Sequence, residues 1–289
     1  WIGTIIAYPT IERGLIRFDF SSIPSNAIID SAILNLLVYW TAYSISGTID
    51  AHSNTAAWSE YTVTWNNQPS HNSTATGSVF VASAGWATLD VTTDVQAFVS
   101  GAKTNYGWKL MSSDGYLWAY SRENTISIRP KLVVAYRLPT TITVDTDPRT
   151  VNKMGSETTK IFGNLTSDGT GLTGKTVKLY HQQAPSEYGI PPDGTWTHIS
   201  DTTTVTDGYY EYNWDPDATL ENGYYWIKAV FEGDAEYAGS FATTGVNMVP
   251  NLFVIPEAIL GTIATLGSMM FAFIALILHR QKAIRRSFP

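Results

Sequence analysis

Five histidines, His52, His71, His181, His198 and His279, are the residues best suited to hold a metal, but no two share an HxH or HxxxH spacing. The chain has no cysteine, which excludes thiolate zinc, cysteine nucleophiles and iron–sulfur centres. It also lacks a GxSxG elbow, a P-loop and a GxGxxG turn. Glu12, Glu60, Asp90 and Glu123 are carboxylates of the type a glycosidase pair uses, yet that chemistry depends on a separation in space that sequence does not give. No catalytic group stands out, so an enzyme is not expected. What remains is aromatic: 10 Trp and 16 Tyr. Flat rings stack on the CH faces of pyranoses. Trp108, Lys109, Asp114, Tyr116, Trp118 and Tyr120 crowd one stretch. On adjacent strands they would form a sugar platform with Lys109 or Asp114 as polar guide. Ordinary core or surface rings are the competing and commoner explanation.

The elements that must position these rings are short strands. In Leu15–Phe20, Ile16, Phe18 and Phe20 alternate with Arg17 and Asp19, the pattern of a half-buried strand. Ala32–Tyr39 is a near-continuous apolar run, expected in the core of a sandwich. One helix is expected after Thr92. Thr93 and Gln96 are spaced as a capping box, Val95, Phe98 and Val99 make an apolar stripe, and Gly101 supplies the stop. Strands separated by Gly, Asn and Pro imply an antiparallel jelly-roll sandwich over residues 1–138.

Specific motifs accompany this pattern. Leu15-Ile-Arg-Phe-Asp-Phe, Ser31-Ala-Ile-Leu-Asn-Leu, Trp58-Ser-Glu, Val63-Thr-Trp-Asn-Asn-Gln-Pro, Leu89-Asp-Val-Thr, Asn105-Tyr-Gly, Ser121-Arg-Glu and Arg129-Pro-Lys-Leu-Val-Val-Ala-Tyr occur in that order over about 135 residues. In this the chain resembles the DNRLRE domain family. The resemblance implies a jelly-roll sandwich of bacterial and archaeal surface and secreted proteins, some of whose members count as carbohydrate-binding modules. It implies framework roles, in the core or locking loops, for Trp58, Trp65 and Trp86. Glu60 is expected to accept hydrogen bonds from a loop backbone, and Arg122-Glu123 to form an ion pair. The family begins with strands upstream of Arg13, of which only Trp1–Tyr8 is present, so an edge strand is expected to be missing.

Residues 139–249 hold seven strand-like runs: 142–145, 160–165, 176–182, 196–200, 209–214, 224–231 and 241–246. Tyr210, Tyr212 and Trp214 alternate with Glu211 and Asn213, and Ser167-Asp-Gly and Thr206-Asp-Gly are tight-turn sequences. An Ig-like sandwich acting as a spacer is expected, and the segments 171–180, 206–210 and 223–237 resemble the Ig-like repeats of bacterial and archaeal surface proteins. Asp201, Asp207, Asp215 and Asp217 match no standard calcium loop. Solvated turns explain them; a structural calcium is the alternative, and no other cofactor is expected.

Residues 250–257 read as a linker, and Ala258–Leu278 runs without a charge. At ~1.5 Å per residue that is roughly the thickness of a bilayer's hydrocarbon core, so a single transmembrane helix is expected. Arg280, Lys282, Arg285 and Arg286 follow in 279–289, which orients this tail to the cytoplasm and the rest outside. Pro256-Glu257 before the apolar segment also resembles archaeal sorting signals, with an ordinary stop-transfer anchor as the alternative. Ala264, Ser268 and Ala272 share one helix face, a pattern through which two copies could associate, although ordinary composition explains it too. Net charge is −7, and −11 without the +4 tail, which argues against nucleic acid. Asn72 and Asn164 lie in glycosylation sequons. The expectation is an all-β protein of the cell membrane: a jelly roll, an Ig-like sandwich and one transmembrane helix. Its partner would be a polysaccharide or cell-surface glycan, for adhesion or substrate capture. The alternatives are a self-associating envelope or filament component, or the non-catalytic end of a larger surface enzyme.

Overall fold

The computed structural model describes residues 5–6, 13–39, 46–112, 116–152, 157–184, 194–217 and 219–250. In the first part of the chain the strands are β1 (Ile5–Ile6), β2 (Gly14–Ile16), β3 (Ile28–Tyr39), β4 (Gly47–Ser53), β5 (Gly77–Val81), β6 (Gly85–Asp90), β7 (Trp108–Met111), β8 (Tyr116–Ala119) and β9 (Lys131–Arg137), with helix α1 at Thr92–Val99. One sheet has the order β1-β8-β3-β6, with β9 also on β3; the other has the order β2-β7-β4-β5. β1 pairs with β8 at the sheet's edge.

The twelve-residue β3 is the centre of its sheet. Ala32, Leu34, Leu36 and Val38 are fully buried between the sheets, while Ile33, Leu37 and Tyr39 face outward and are half-buried. The near-continuous apolar run is therefore one-sided, as strand geometry requires. Helix α1 buries Val95, Phe98 and Val99, and Gly101 ends it at φ +75°. The capping box is not formed. Asp90 instead accepts from the Thr92 amide (2.9 Å) and hydroxyl (2.6 Å). Gln96 is drawn to β3, accepting from the Ile29 amide (2.9 Å) and donating to the Ala27 carbonyl (3.2 Å). A long-range pairing partner outcompeted the local one.

The second part holds β10 (Thr141–Ile142), β11 (Asp145–Asp147), β12 (Thr150–Asn152), β13 (Thr159–Ser167), β14 (Thr170–Gly171), β15 (Thr176–Ala184), β16 (Thr197–Thr203), β17 (Tyr209–Trp214), β18 (Gly223–Gly233) and β19 (Ala238–Val249). β13 pairs with β10, β11, β14 and β17 in one sheet; the other has the order β12-β19-β18-β15-β16, with β12 parallel to β19. Ile161, Leu165, Val177, Leu179, Ile227, Ala229 and Val246 form a second core, separate from the first. At the junction Leu138 packs on the first core while its amide donates to the Glu236 carbonyl and its carbonyl accepts from the Ala238 amide, both at 2.8 Å.

The fold class needs one correction: the described residues are mostly strand, and the predicted transmembrane helix is not found among them. Among the described residues no helix is long and apolar enough to cross a membrane. α1 has eight residues, ~12 Å of rise against the ~30 Å a bilayer core requires, and it spends its apolar stripe on the sandwich. The segment 258–278 that carried the expectation, with the linker and tail beside it, lies outside the described residues.

A buried carboxylate joins the helix to the second sheet. Asp94 is 1% exposed. It accepts from the Trp108 indole Nε1 (2.9 Å), the Lys103 ammonium (2.9 Å) and the Thr76 hydroxyl. Removing it strands a fully buried indole donor, whereas Lys103 reaches solvent by itself. Asp94→Ala is expected to cost about 3 kcal/mol and Lys103→Ala less than about 1 kcal/mol in urea unfolding. Equal midpoints for Asp94→Ala and wild type would refute this role.

Candidate functional site

The predicted ligand residues do not form one platform. β7 lies between β2 and β4 in one sheet and β8 between β1 and β3 in the other, so Trp108 and Trp118 belong to different sheets. Trp108 is wholly buried, edge-on to Phe98 with ring centroids 5.4 Å apart. Lys109, its neighbour, points to the opposite face and is 1% exposed beneath a loop. Trp118 is half-buried on the outer face of its own sheet, 6.0 Å from Tyr39, which stacks on Tyr120 at 4.4 Å. Asp114 and the side chain of Tyr116 lie outside the described residues.

The loop over Lys109 connects β4 to β5, from Asn54 to Thr76. Little of it is apolar, so hydrogen bonds hold it. Trp58 donates Nε1 to the Tyr106 carbonyl (2.7 Å), and Asn54 donates Nδ2 to the same oxygen (3.1 Å). Gly107 follows at φ +69°, where a Cβ would meet the Ile16 carbonyl oxygen at 2.1 Å, which is why Asn105-Tyr-Gly ends in glycine. Lys109 donates to the Pro69 carbonyl (2.6 Å) and to Gln68 Oε1 (2.9 Å). Within the loop, Trp65–Asn67 is a 3-10 turn closed by Thr64 Oγ1 to Asn67 Oδ1 (3.0 Å) and Asn67 Nδ2 to the Thr62 carbonyl (2.9 Å). This self-bonded turn leaves Trp65 53% exposed.

Beside that ring is a cleft of about 170 Å³ lined by Arg13, Leu15, Trp58, Val63, Trp65 and Gln68. The Arg13 guanidinium lies 4.9 Å from the Trp65 ring centre and donates to Gln68 Oε1 at 2.8 Å. Leu15 and Trp58 also wall a second cleft of about 310 Å³ with Arg17, Phe18, Glu60 and Arg122. There Arg17 sits 5.8 Å from the Trp58 ring and Arg122 pairs with Glu60 at 2.9 Å. The two clefts share a wall and make one groove with two ring faces and three guanidinium groups. The expected Arg122–Glu123 ion pair is present at 3.0 Å, and Arg122 also pairs with Glu60. Trp58 locks the loop, as the resemblance implies, and also lines the groove.

Sequence reasoning missed Arg13, Arg17 and the exposure of Trp65. A signal existed: Trp65 is followed at once by the polar, turn-forming Asn-Asn-Gln-Pro, which ends any alternating strand pattern at the ring. Such a ring has no core to enter.

Elsewhere the expected features are scattered. His52 and His71 come together, ring centroids 5.3 Å apart, with His52 Nδ1 2.9 Å from the Asn72 carbonyl. Burial lowers the His71 pKa, with the charges of Lys109, His52 and Arg13 adding to it. No group of three or more His, Asp or Glu that could hold a metal occurs among the described residues. Asp201 pairs with His198 at 2.7 Å, Asp217 accepts from the Thr219 amide and Asp207 turns at φ +59°, so these carboxylates serve separate turns and contacts. The Asn72 amide donates to Ser53 Oγ (2.6 Å) and that of Asn164 to the Asp207 carbonyl (3.2 Å).

Residues 8–136 match carbohydrate-binding module family 96. The match takes in the groove and the loop that shapes it. The first sandwich is thus similar to a carbohydrate-binding module, a class that binds without catalysing. A search of curated proteins found no match. Among solved structures, a DUF4785 family protein from Legionella pneumophila aligns at 16% identity over 82% of this chain and 61% of its own, with a TM-score of 0.26. The β-glucuronidase 3 of Bacteroides uniformis aligns at 11% identity over 82% and 26%, with a TM-score of 0.24. The chain spans less than two thirds of either protein, and at these scores neither likeness carries an argument.

Lys109 has a consequence for pH. Burial first, and then the charge of Arg13, push its pKa from 10.5 down to about 8. Between those values the unfolded chain binds the proton that the folded chain has released, so stability rises with pH across that window. Below pH ~8 both states carry the charge and the full burial cost is felt. Comparing thermal unfolding from about pH 7.5 to 10, the gap between wild type and Lys109→Met should move in favour of wild type as pH rises. A gap that stays constant would exclude the shift.

Proposed function

We propose that the groove of the first sandwich binds a polysaccharide chain and performs no catalysis. The observation that carries this is Trp65, half exposed at the mouth of a concave site with Arg13 beside it, inside the region similar to a carbohydrate-binding module. Trp65 and Trp58 offer flat apolar faces to sugar CH groups, and Arg13 and Arg17 offer donor forks to hydroxyl or carboxylate oxygens. Among the described residues neither arginine forms an ion pair. Gln68 orients Arg13, and Lys109 orients Gln68, so the donors are held before ligand arrives. Glu60 is tied to Arg122, which gives it a structural role in place of an acid's.

Such a ligand is met outside the cytoplasm, and we place the protein there, in capture of a substrate polymer or adhesion to one. Labelling of intact cells with a membrane-impermeant amine reagent tests that placement: labelling only after lysis would refute it.

Affinity electrophoresis against soluble polysaccharides tests the site. Trp65→Ala should weaken retardation by roughly tenfold in affinity, about 1.4 kcal/mol, and Arg13→Ala by a similar amount. Trp118→Ala, on the opposite sheet's outer face, should leave it unchanged. Retardation lost in Trp118→Ala and kept in Trp65→Ala would move the site to the other face.

A further inference from the structure

The outer face of β18, β15 and β16 carries a second constellation of rings and charge. Lys228 on β18 is flanked across the sheet by Thr243 of β19 and Tyr180 of β15. Its ammonium lies 4.9 Å from the centre of the Phe241 ring and 5.2 Å from that of Trp196. Phe241 is 67% exposed and Trp196 half-buried. Tyr180 extends the row to His198, with ring centroids 5.4 Å apart. The face thus presents rings to solvent around one cation.

Other ionisable side chains on this face have partners. Lys178 pairs with Glu232 at 2.8 Å, and His198 with Asp201 at 2.7 Å. Lys228 forms no ion pair among the described residues, although the chain carries net negative charge. Two rings hold its ammonium by their quadrupoles, which fixes its place without cancelling its charge. A fixed cation between flat apolar faces matches a sugar ring bearing a carboxylate: the carboxylate meets the ammonium and the pyranose CH groups meet Trp196 or Phe241. A neutral sugar would leave the charge unused, and a bare anion would leave the rings unused.

We propose that Lys228, held between Trp196 and Phe241, is a binding site for the carboxylated sugar units of an acidic glycan. It goes beyond the groove of the first sandwich and shares no residue with it. The part expected to be a spacer then becomes a second contact on the polymer, and two weak contacts on one chain raise retention by avidity.

The test uses the full chain with polygalacturonate, neutral glucomannan and dextran sulfate as probes, by affinity electrophoresis. Thermal unfolding checks that each variant is folded. Lys228→Gln and Trp196→Ala are each expected to weaken polygalacturonate binding roughly fivefold to tenfold. Lys228→Arg should retain it, and glucomannan binding should not change. Wild-type affinity for polygalacturonate in both Lys228→Gln and Trp196→Ala would overturn the proposal, and if Trp65→Ala still weakened binding the groove would stand alone. Loss in Lys228→Gln with none in Trp65→Ala would support this site and refute the groove. Equal losses for dextran sulfate and polygalacturonate in Lys228→Gln, with Trp196→Ala silent, would show a site for charge alone and overturn the sugar assignment. No binding of any probe by wild type would overturn both.

Discussion

The first sandwich depends on two charged groups buried on opposite faces of one strand. β7 sends Trp108 inward to the Asp94 carboxylate and Lys109 outward to Gln68 and Pro69. Burying an ion is costly unless its hydrogen bonds are replaced, and both are met by designated partners. Asp94 gathers α1, β7 and the start of β5 around one carboxylate. Burial and then the charge of Arg13 lower the Lys109 pKa, while the Gln68 and Pro69 carbonyl oxygens accept from its ammonium and let it anchor the loop. The consequence is directional: one residue fixes the core side of the second sheet and the next fixes what lies on its outer side.

The groove follows from that second anchor. A loop of Ser, Thr, Asn and Gln buries too little apolar surface to stay in place through the hydrophobic effect. It is held by side-chain-to-backbone bonds, the type those residues make in turns. Because the loop's stability comes from these bonds, its tryptophans need not all go inward. Trp58 spends its indole donor on Tyr106 and keeps a ring face to the groove; Trp65 stays half exposed. Gln68 connects the two scales, since the same Oε1 accepts from buried Lys109 and from Arg13 at the groove.

Much of the framework was legible in the sequence because it rests on periodicity. The burial of Ala32, Leu34, Leu36 and Val38, the stripe Val95-Phe98-Val99 and the strand runs of the second part all follow from alternation or helical spacing. What periodicity cannot say is which strands become neighbours. Trp108 and Trp118 are ten residues apart in sequence and sit in different sheets, so a platform that needed both could not form. The same limit hid Gln96, which has a good local use as a cap and a better distant one at Ala27 and Ile29. It also hid the groove, because the contact of Arg13 with Gln68 joins residues fifty-five apart through a loop with no repeating pattern.

A common device connects the two sandwiches. In an acidic chain a surface lysine or arginine is easily cancelled by a carboxylate, as Lys160 is beside Glu211 and Lys175 beside Asp234. Lys160 and Lys175 lie over rings as well, those of Phe162 and Tyr237, while Arg13, Arg17, Lys131 and Lys228 lie over Trp65, Trp58, Trp86 and the pair Trp196 and Phe241. None of the latter four forms an ion pair among the described residues. An aromatic ring attracts a cation through its quadrupole but contributes no formal charge, so the cation is oriented and its field still reaches solvent. The same ring supplies the apolar face that a sugar requires. Cation–ring pairing therefore does two things that an ion pair cannot do together. It keeps positive charge available on a negatively charged protein, and it sets that charge at the edge of a stacking surface.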